Sequence, residues 1–453
     1  MPSQHKLSLS TAILVNLNIM LGKGLFINTA LLAHLMGTAG SLAYLAVGIL
    51  VTPIILTFAE LMKQHPQGTI FDHANREFGY IAGFLVSFGY SIGKMGSAVL
   101  AIHVCNMIAE LMIPELAIVN IMTRDIIVML TFVGLNLLNL KMGARIQRFI
   151  TILKAVPIAL VIIGGMFVFS IKDFVTHAHP RALPDALSFA LFAFAGFEAT
   201  LAITPKLKNP RDGLKAVLIS CALVIATLAL YQAMFSGALG KNIIFAVDWL
   251  EAFKMFGTRL AGDTIWAVII ARVMAIGVAF SAFGSGYSIL FSNGWNIYAV
   301  AKQNLLPFSR TFVKISKNNI PLFAVLLQGA IALTYIVLAK SSQIPMQQMA
   351  VLGVTCVYVV ITLAFIKGTL RRGATLYTGI IGIGALIGSA IFLVTLVQNF
   401  LHSESRIAFY IYTAILGTLS TLAFFRGYTP LEHEEGQLEL DALDPEEPTI
   451  HVE

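Results

Sequence analysis

The sequence predicts an all-α integral membrane protein of twelve transmembrane helices, folded as two inverted five-helix repeats with two further helices at the periphery. Three observations carry that prediction. Hydrophobic residues fill 57% of the 453 positions and charged residues only 12%, with a mean hydropathy of +0.83, whereas a soluble domain is nearer half apolar and a quarter charged. The apolar residues fall in blocks of about 20 with almost no charge, the length that crosses a hydrocarbon slab about 30 Å thick. Two of these blocks, the first and the sixth, are interrupted by glycine-containing breaks, which stand in corresponding places if the chain is two five-helix repeats.

Apolar blocks set against polar breaks place the spans at about 9–36, 41–62, 80–112, 126–140, 149–171 and 186–204, then 214–239, 265–295, 322–339, 346–367, 377–400 and 407–425. Residues 1–8 precede this membrane domain of 9–426; repeat one covers about 9–171, repeat two about 186–367, and the peripheral helices about 377–425. The first block is too long for a signal-peptide core and has no small-residue cleavage site, so it is expected to remain as a helix. Cys105, Cys221 and Cys356 all lie inside apolar blocks, without disulfide or metal-ligand spacing, and are expected to pack.

Eighteen Lys and Arg fall in the connections on the amino-terminal side and eight on the other. This bias predicts a multi-pass protein of the cell's inner membrane with both termini cytoplasmic. The formal charge of +7 then reflects topology and contact with anionic lipid, and nothing in it supports nucleic-acid binding. Residues 427–453 are a different material, with nine acidic residues, no Lys or Arg, and prolines at 430, 445 and 448. Such a segment cannot bury enough apolar surface to offset its ordering entropy, and is expected to be a disordered cytoplasmic tail.

Four cations fall within apolar blocks: Lys23, Lys94, Lys154 and Arg272. Ionisable residues there cost about 2.5–3.5 kcal/mol each on insertion scales and are functional candidates by default. Arg272 stands near the outer end of its block, where a long side chain reaches the headgroups. His103 is expected to be a satisfied packing residue. The break in the first span is GKG at 22–24, and that in the sixth is AGFE at 195–198. Because five helices is odd, the second copy enters the membrane from the opposite side, the arrangement of an inverted-repeat secondary transporter.

At these residues the chain resembles the amino acid–polyamine–organocation superfamily, over almost its whole length to about Arg426. GKGLF at 22–26 is similar to the family's first-helix GSGIF. FAEL at 58–61, followed by PQG at 66–68 and REFG at 76–79, resembles its second helix and next loop. FAGFE at 194–198 with KNPR at 208–211 resembles its sixth helix and following turn, and NIYAVAKQNLLP at 296–307 its segment after the eighth. The resemblance implies a leucine-transporter-type fold that moves amino acids, polyamines or related organic cations by proton symport or exchange. It implies that Lys154 stands where sodium-dependent relatives hold an ion, touching the carbonyls that end the inner half of the first helix, as a titrating proton carrier or a fixed cation. It also gives an aromatic at Phe192 the part of a lid.

The breaks have their own chemistry. Interrupted membrane helices leave backbone groups without partners, which is tolerable only around a cavity. The outer half of the first helix begins near Gly24, so its N–H groups and positive dipole end suit a carboxylate. Carbonyls near Ile19, Met20 and Leu21, and near Phe192, Ala193 and Ala195 of the sixth, suit an ammonium. Gly22, Gly24 and Gly196 let backbone approach ligand. These residues, with Lys23 and Lys94, form the expected substrate site; Phe192, Phe194 and Phe197 are lid candidates, and Glu198 a cap, gate or pH sensor. Lys23 departs from the small residue usual there, and two extra cations disfavour arginine or a polyamine as substrate. No cofactor motif, nucleophile elbow or phosphate loop points to an enzyme. The alternatives are a polyamine or arginine/agmatine-type exchanger and a transport-inactive nutrient sensor on the same fold, and a homodimer is compatible with the sequence.

Overall fold

A computed structural model describes residues 9–10, 13, 17, 20–65, 69–138, 144–197, 212–318, 320–402 and 406–431. Ile19, Glu198, the 208–211 turn and residues 432–453, all named above, lie outside the described residues. Among those described the regular structure is helical, and the β contacts are two isolated bridges, Gly37 with Ala178 and Ile315 with Pro321. Seven helices are long and apolar enough to cross a membrane, at 40–64, 80–112, 215–245, 265–302, 343–372, 376–401 and 409–426, and shorter apolar helices cover 24–36, 152–168 and 322–338.

In chain order the helices are α1 (Gly24–Met36), α2 (Gly40–Gln64), α3 (Ile70–Phe78), α4 (Tyr80–Met112), α5 (Ile121–Leu137), α6 (Ala144–Val168), α7 (Ile171–Thr176) and α8 (Leu183–Phe192). They continue with α9 (Asp212–Leu239), α10 (Trp249–Ala261), α11 (Ile265–Lys302), α12 (Ser309–Phe312), α13 (Leu322–Leu338), α14 (Gln343–Arg372), α15 (Leu376–His402) and α16 (Arg406–Arg426). α4 is the axis of the core and packs along α11 and α14. Its glycines set the separation: a Cβ on Gly93 would stand 2.7 Å from Gly353 Cα of α14. Small residues of this kind bring membrane helices into backbone contact.

Several boundaries differ from the sequence reading. α11 runs to Lys302 and α14 to Arg372, beyond the ends expected at 295 and 367. Apolarity ends before the helix does: basic residues in a last turn favour the helical dipole, and α14 stops only at Gly373, whose φ is +90°. α5 starts five residues earlier than its apolar block because the Asn120 side chain caps it, accepting from Met122 N–H. Arg124, counted among the connection charges, is therefore buried within α5, paired with Glu110 and donating to the Asn106 carbonyl at 3.4 Å.

α3 and α10 are too short and polar to read as spans. Each begins with a side-chain cap: Thr69 and Asp72 form a reciprocal capping box, and Asp248 accepts from Glu251 N–H at 2.8 Å. α10 buries Trp249, Phe253 and Phe256 against the bundle. The segment after α16 also differs from expectation. Residues 427–431, assigned above to the tail, are docked: Tyr428 stacks on Tyr80 and Phe71, Thr429 Oγ1 accepts from Asn304, and Leu431 N–H donates to the Lys302 carbonyl at 3.0 Å. Two aromatic neighbours give this short stretch its buried contact.

Candidate functional site

The first break is a short, irregular turn. Leu21 N–H reaches the Leu17 carbonyl at 2.9 Å, Gly22 N–H bonds Met20 O at 3.0 Å, and α1 starts afresh at Gly24. Lys23 is its N-cap residue and supplies no side-chain cap. The first-turn N–H groups of a helix have no acceptor within it, so this end of α1 presents donors and a partial positive charge.

The second break follows α8. Its last carbonyls tighten into three-residue turns, with Phe194 N–H on Leu191 O at 2.9 Å and Ala195 N–H on Phe192 O at 3.3 Å. Gly196 then takes a φ of +137°, a conformation closed to most side chains. The two breaks touch. A Cβ on Gly24 would stand 2.9 Å from Ala193 Cα, 3.0 Å from Phe192 Cδ1 and 3.2 Å from Ala193 N. On Gly22, two residues away, a Cβ would meet nothing within 4 Å among the described residues. One glycine is thus a backbone contact and the other borders open space.

Lys23 is buried at 4% exposure beside this junction. Its Nζ donates to Ser97 Oγ of α4 at 3.1 Å and to Ser285 Oγ of α11 at 3.5 Å, and lies 5.6 Å from the Phe192 ring centroid. Ser285 gives its own proton to the Ala282 carbonyl at 3.0 Å, which leaves its lone pairs for the ammonium. A desolvated cation over an aromatic face is worth about 2 kcal/mol. Hydroxyls and a ring therefore hold this cation. Ammonium and helix N-terminus add on one side of the junction, a field that attracts a carboxylate and repels a second cation.

The other sequence candidates are distributed around this centre. Met20, Phe192 and Ala193 are buried at the junction and Ala195 is half-buried. Lys94 sits on α4 three residues before Ser97, half-buried, with its Nζ 5.0 Å from the Tyr90 ring. Lys154 is buried in α6, one residue after the carbonyl of Leu153, against which Gly277 of α11 packs. Of the three aromatics, Phe192 alone faces Lys23. Phe194 packs 6.4 Å from Tyr44, and Phe197 lies between Phe58 and Tyr358 at 5.7 and 5.2 Å.

Sequence reasoning missed the polar residues that complete the centre. Beyond Ser97 and Ser285, a buried amide lattice joins α1, α8 and α14. Asn28 donates to the Phe189 carbonyl at 2.7 Å and accepts from Gln347 Nε2 at 2.8 Å, while Gln348 donates to Ser188 Oγ at 3.3 Å. Their signal was available, since uncharged polar side chains in apolar spans must find partners. A second polar cluster joins α4 and α5: Asp125, wholly buried, accepts from Asn106 Nδ2 at 2.7 Å and lies 2.9 Å from His103 Nδ1. His103 is thus satisfied, as expected, although by a buried carboxylate.

Comparison with known proteins shows the family. The b(0,+)-type amino acid transporter 1 of Mus musculus is 25% identical over 357 residues, covering 74% of this chain and 70% of its own. The serine/threonine exchanger SteT of Bacillus subtilis is 22% identical over 373 residues, 80% of this chain and 82% of its own. The DL-alanine permease SerP2 of Lactococcus lactis is 22% identical over 357 residues, 73% and 74%. The amino acid permease family model matches residues 7–420. With apolar helices on this scale and a match across nearly its whole length, the chain belongs to the amino acid permease family of multi-pass membrane transporters.

Proposed function

We propose that the protein carries small neutral amino acids across the inner membrane by alternating access, on twelve spans arranged as two inverted repeats with both termini cytoplasmic. The observation that carries this reading is the direct contact of the two helix breaks at Gly24 and Ala193. The substrate carboxylate is assigned to the N–H groups that open α1, and the substrate ammonium to the carbonyls about Met20 and Phe192–Ala195. Phe192 covers the substrate. Glu198 is assigned to the gate and Lys154 to proton coupling.

Lys23 and Lys94 set the charge preference. With two cations beside a helix N-terminus, a guanidinium or diamine meets like-charge repulsion, which costs more in a low-dielectric cavity than in water. A polyamine or arginine-type exchanger is disfavoured on this ground. The names of two relatives, a serine/threonine exchanger and a DL-alanine permease, point in the same direction.

The experiment is uptake of labelled serine, alanine, glutamate, arginine and putrescine into proteoliposomes, with and without unlabelled substrate inside and with and without an inward pH gradient. Uptake of serine or alanine supports the reading. Counterflow then identifies exchange, and gradient-driven accumulation identifies symport. Preferential uptake of arginine or putrescine overturns the charge argument. Absence of all uptake, with ligand-induced thermal stabilisation retained, identifies a sensor.

A further inference from the structure

At the end of the bundle that the charge bias assigns to the cytoplasm, α14 outlasts its apolar run. Its 30 residues span about 45 Å, half again the hydrocarbon thickness, so its last turns emerge at headgroup level. There a groove of about 480 Å³ opens between α3 and α14, lined by Phe78, Leu363, Ile366, Lys367, Leu370 and Arg371. Four lining residues are apolar, and Leu370 and Phe78 are 70% and 42% exposed. The other two, Lys367 and Arg371, are cations one helical turn apart on α14.

Their partners leave an excess of positive charge. Lys367 Nζ donates to the Glu77 carbonyl and stands 4.7 Å from the Phe78 ring centroid. Arg371 Nη1 lies 3.3 Å from Glu77 Oε2, with its side chain 60% exposed. Arg372 Nη2 and Glu77 Oε1 both border Gly368, 2.9 and 3.3 Å from where its Cβ would stand. Three cations thus gather about one acidic residue, Arg371 pairing with its carboxylate and Lys367 binding its main-chain carbonyl. Arg76 adds a fourth on α3, bonded to His65. The imidazole of His65 is held below its usual range by desolvation first, and then by Arg76 and Arg372, which places both guanidiniums within one field. Lys63 is already paired with Glu60 at 2.6 Å.

We propose that this groove is a binding site for one anionic phospholipid. The phosphate sits between Lys367 and Arg371, and an acyl chain lies along Leu363, Ile366 and Leu370. A soluble anion would use the cations and leave the apolar wall unexplained, while a zwitterionic lipid would use the wall and leave the charge excess unexplained. Basic pockets at the cytoplasmic ends of transmembrane helices have this chemistry. The occupant would also tie α3 to α14, since Phe78 of α3 lines the groove beside the α14 residues.

The test is titration of the purified full-length protein in detergent with phosphatidylglycerol and phosphatidylcholine, with bound lipid read by native mass spectrometry. Phosphatidylglycerol should bind about 25-fold more tightly than phosphatidylcholine, two surface cations each contributing roughly fivefold. Arg371→Gln and Lys367→Gln should each lose about fivefold of that preference, and Leu370→Glu should weaken both lipids. Arg310→Gln, which removes an exposed cation from α12 outside the groove, should change neither. Lys367 also supports Glu77, so Arg371→Gln carries the test if Lys367→Gln fails to fold. Equal binding of the two lipids overturns the proposal. So does an Arg310→Gln loss as large as that of Arg371→Gln, which would mean diffuse surface charge only. Displacement of phosphatidylglycerol by millimolar glycerol phosphate overturns it in favour of a soluble phosphate.

Discussion

Gly24→Ala isolates the contact on which the transport reading rests. The added methyl would lie 2.9 Å from Ala193 Cα and 3.2 Å from Ala193 N, against an ordinary contact of 3.4–4 Å. Both are backbone atoms, so relief requires the breaks to part by about half an ångström. Overpacking of this kind costs about 1–3 kcal/mol. Alanine regains at most about 1 kcal/mol of helix propensity over glycine, and less at the first turn. If the strain falls on conformations that hold the breaks together, transport should drop by about 5- to 150-fold. The assay is initial uptake of labelled serine or alanine into proteoliposomes at matched protein incorporation, with thermal unfolding measured on the same samples. Gly379→Ala, on α15 away from the breaks, is the internal control, because its methyl meets nothing within 4 Å among the described residues, and it should transport at near wild-type rate. Gly24→Ala with unchanged uptake, or Gly379→Ala damaged equally, would refute the argument that the junction of the breaks is the working part.

The remaining predictions address charge and stability. Lys23→Ser should let arginine inhibit uptake that it barely inhibits in the wild type, because the buried ammonium held by Ser97 and Ser285 is gone; unchanged competition would remove Lys23 from selectivity. Lys154→Ala should abolish accumulation driven by an inward pH gradient while leaving counterflow measurable, and full gradient-driven accumulation in the variant would exclude a coupling role. Asp125→Ala leaves Asn106 and His103 without their acceptor, at about 1–3 kcal/mol for each buried polar group orphaned. Its thermal midpoint should fall well below that of Asp125→Asn, which keeps one carbonyl acceptor. Deleting residues 432–453 should leave transport and expression near wild type, whereas Tyr428→Ala, which removes stacking on Tyr80 and Phe71, should lower the thermal midpoint.

The membrane class, the positions of the long apolar helices and the two glycine breaks were legible in the sequence, because each rests on local composition. A span is about 20 apolar residues wherever it packs, and glycine weakens a helix, although Gly164 with Gly165 and Gly284 with Gly286 stand inside the unbroken α6 and α11. Helix ends were less legible. α5 and α14 are closed by Asn120 and Gly373 rather than by loss of apolarity, and α3 and α10 are fixed by caps that hydropathy does not weigh.

Tertiary structure alone decided which residues meet. Gly22 and Gly24 belong to one motif in sequence, yet a Cβ on the first meets nothing within 4 Å among the described residues and one on the second abuts Ala193. Phe192, Phe194 and Phe197 are alike in composition, yet only the first faces Lys23. Lys23 itself read only as a cation within an apolar block, and the fold supplies Ser97 from 74 positions away and Ser285 from 262. Local pattern fixes what a segment must do with its own backbone and its own burial. Partners across such separations are set by the packing of α4 between α11 and α14, which no stretch of chain encodes by itself.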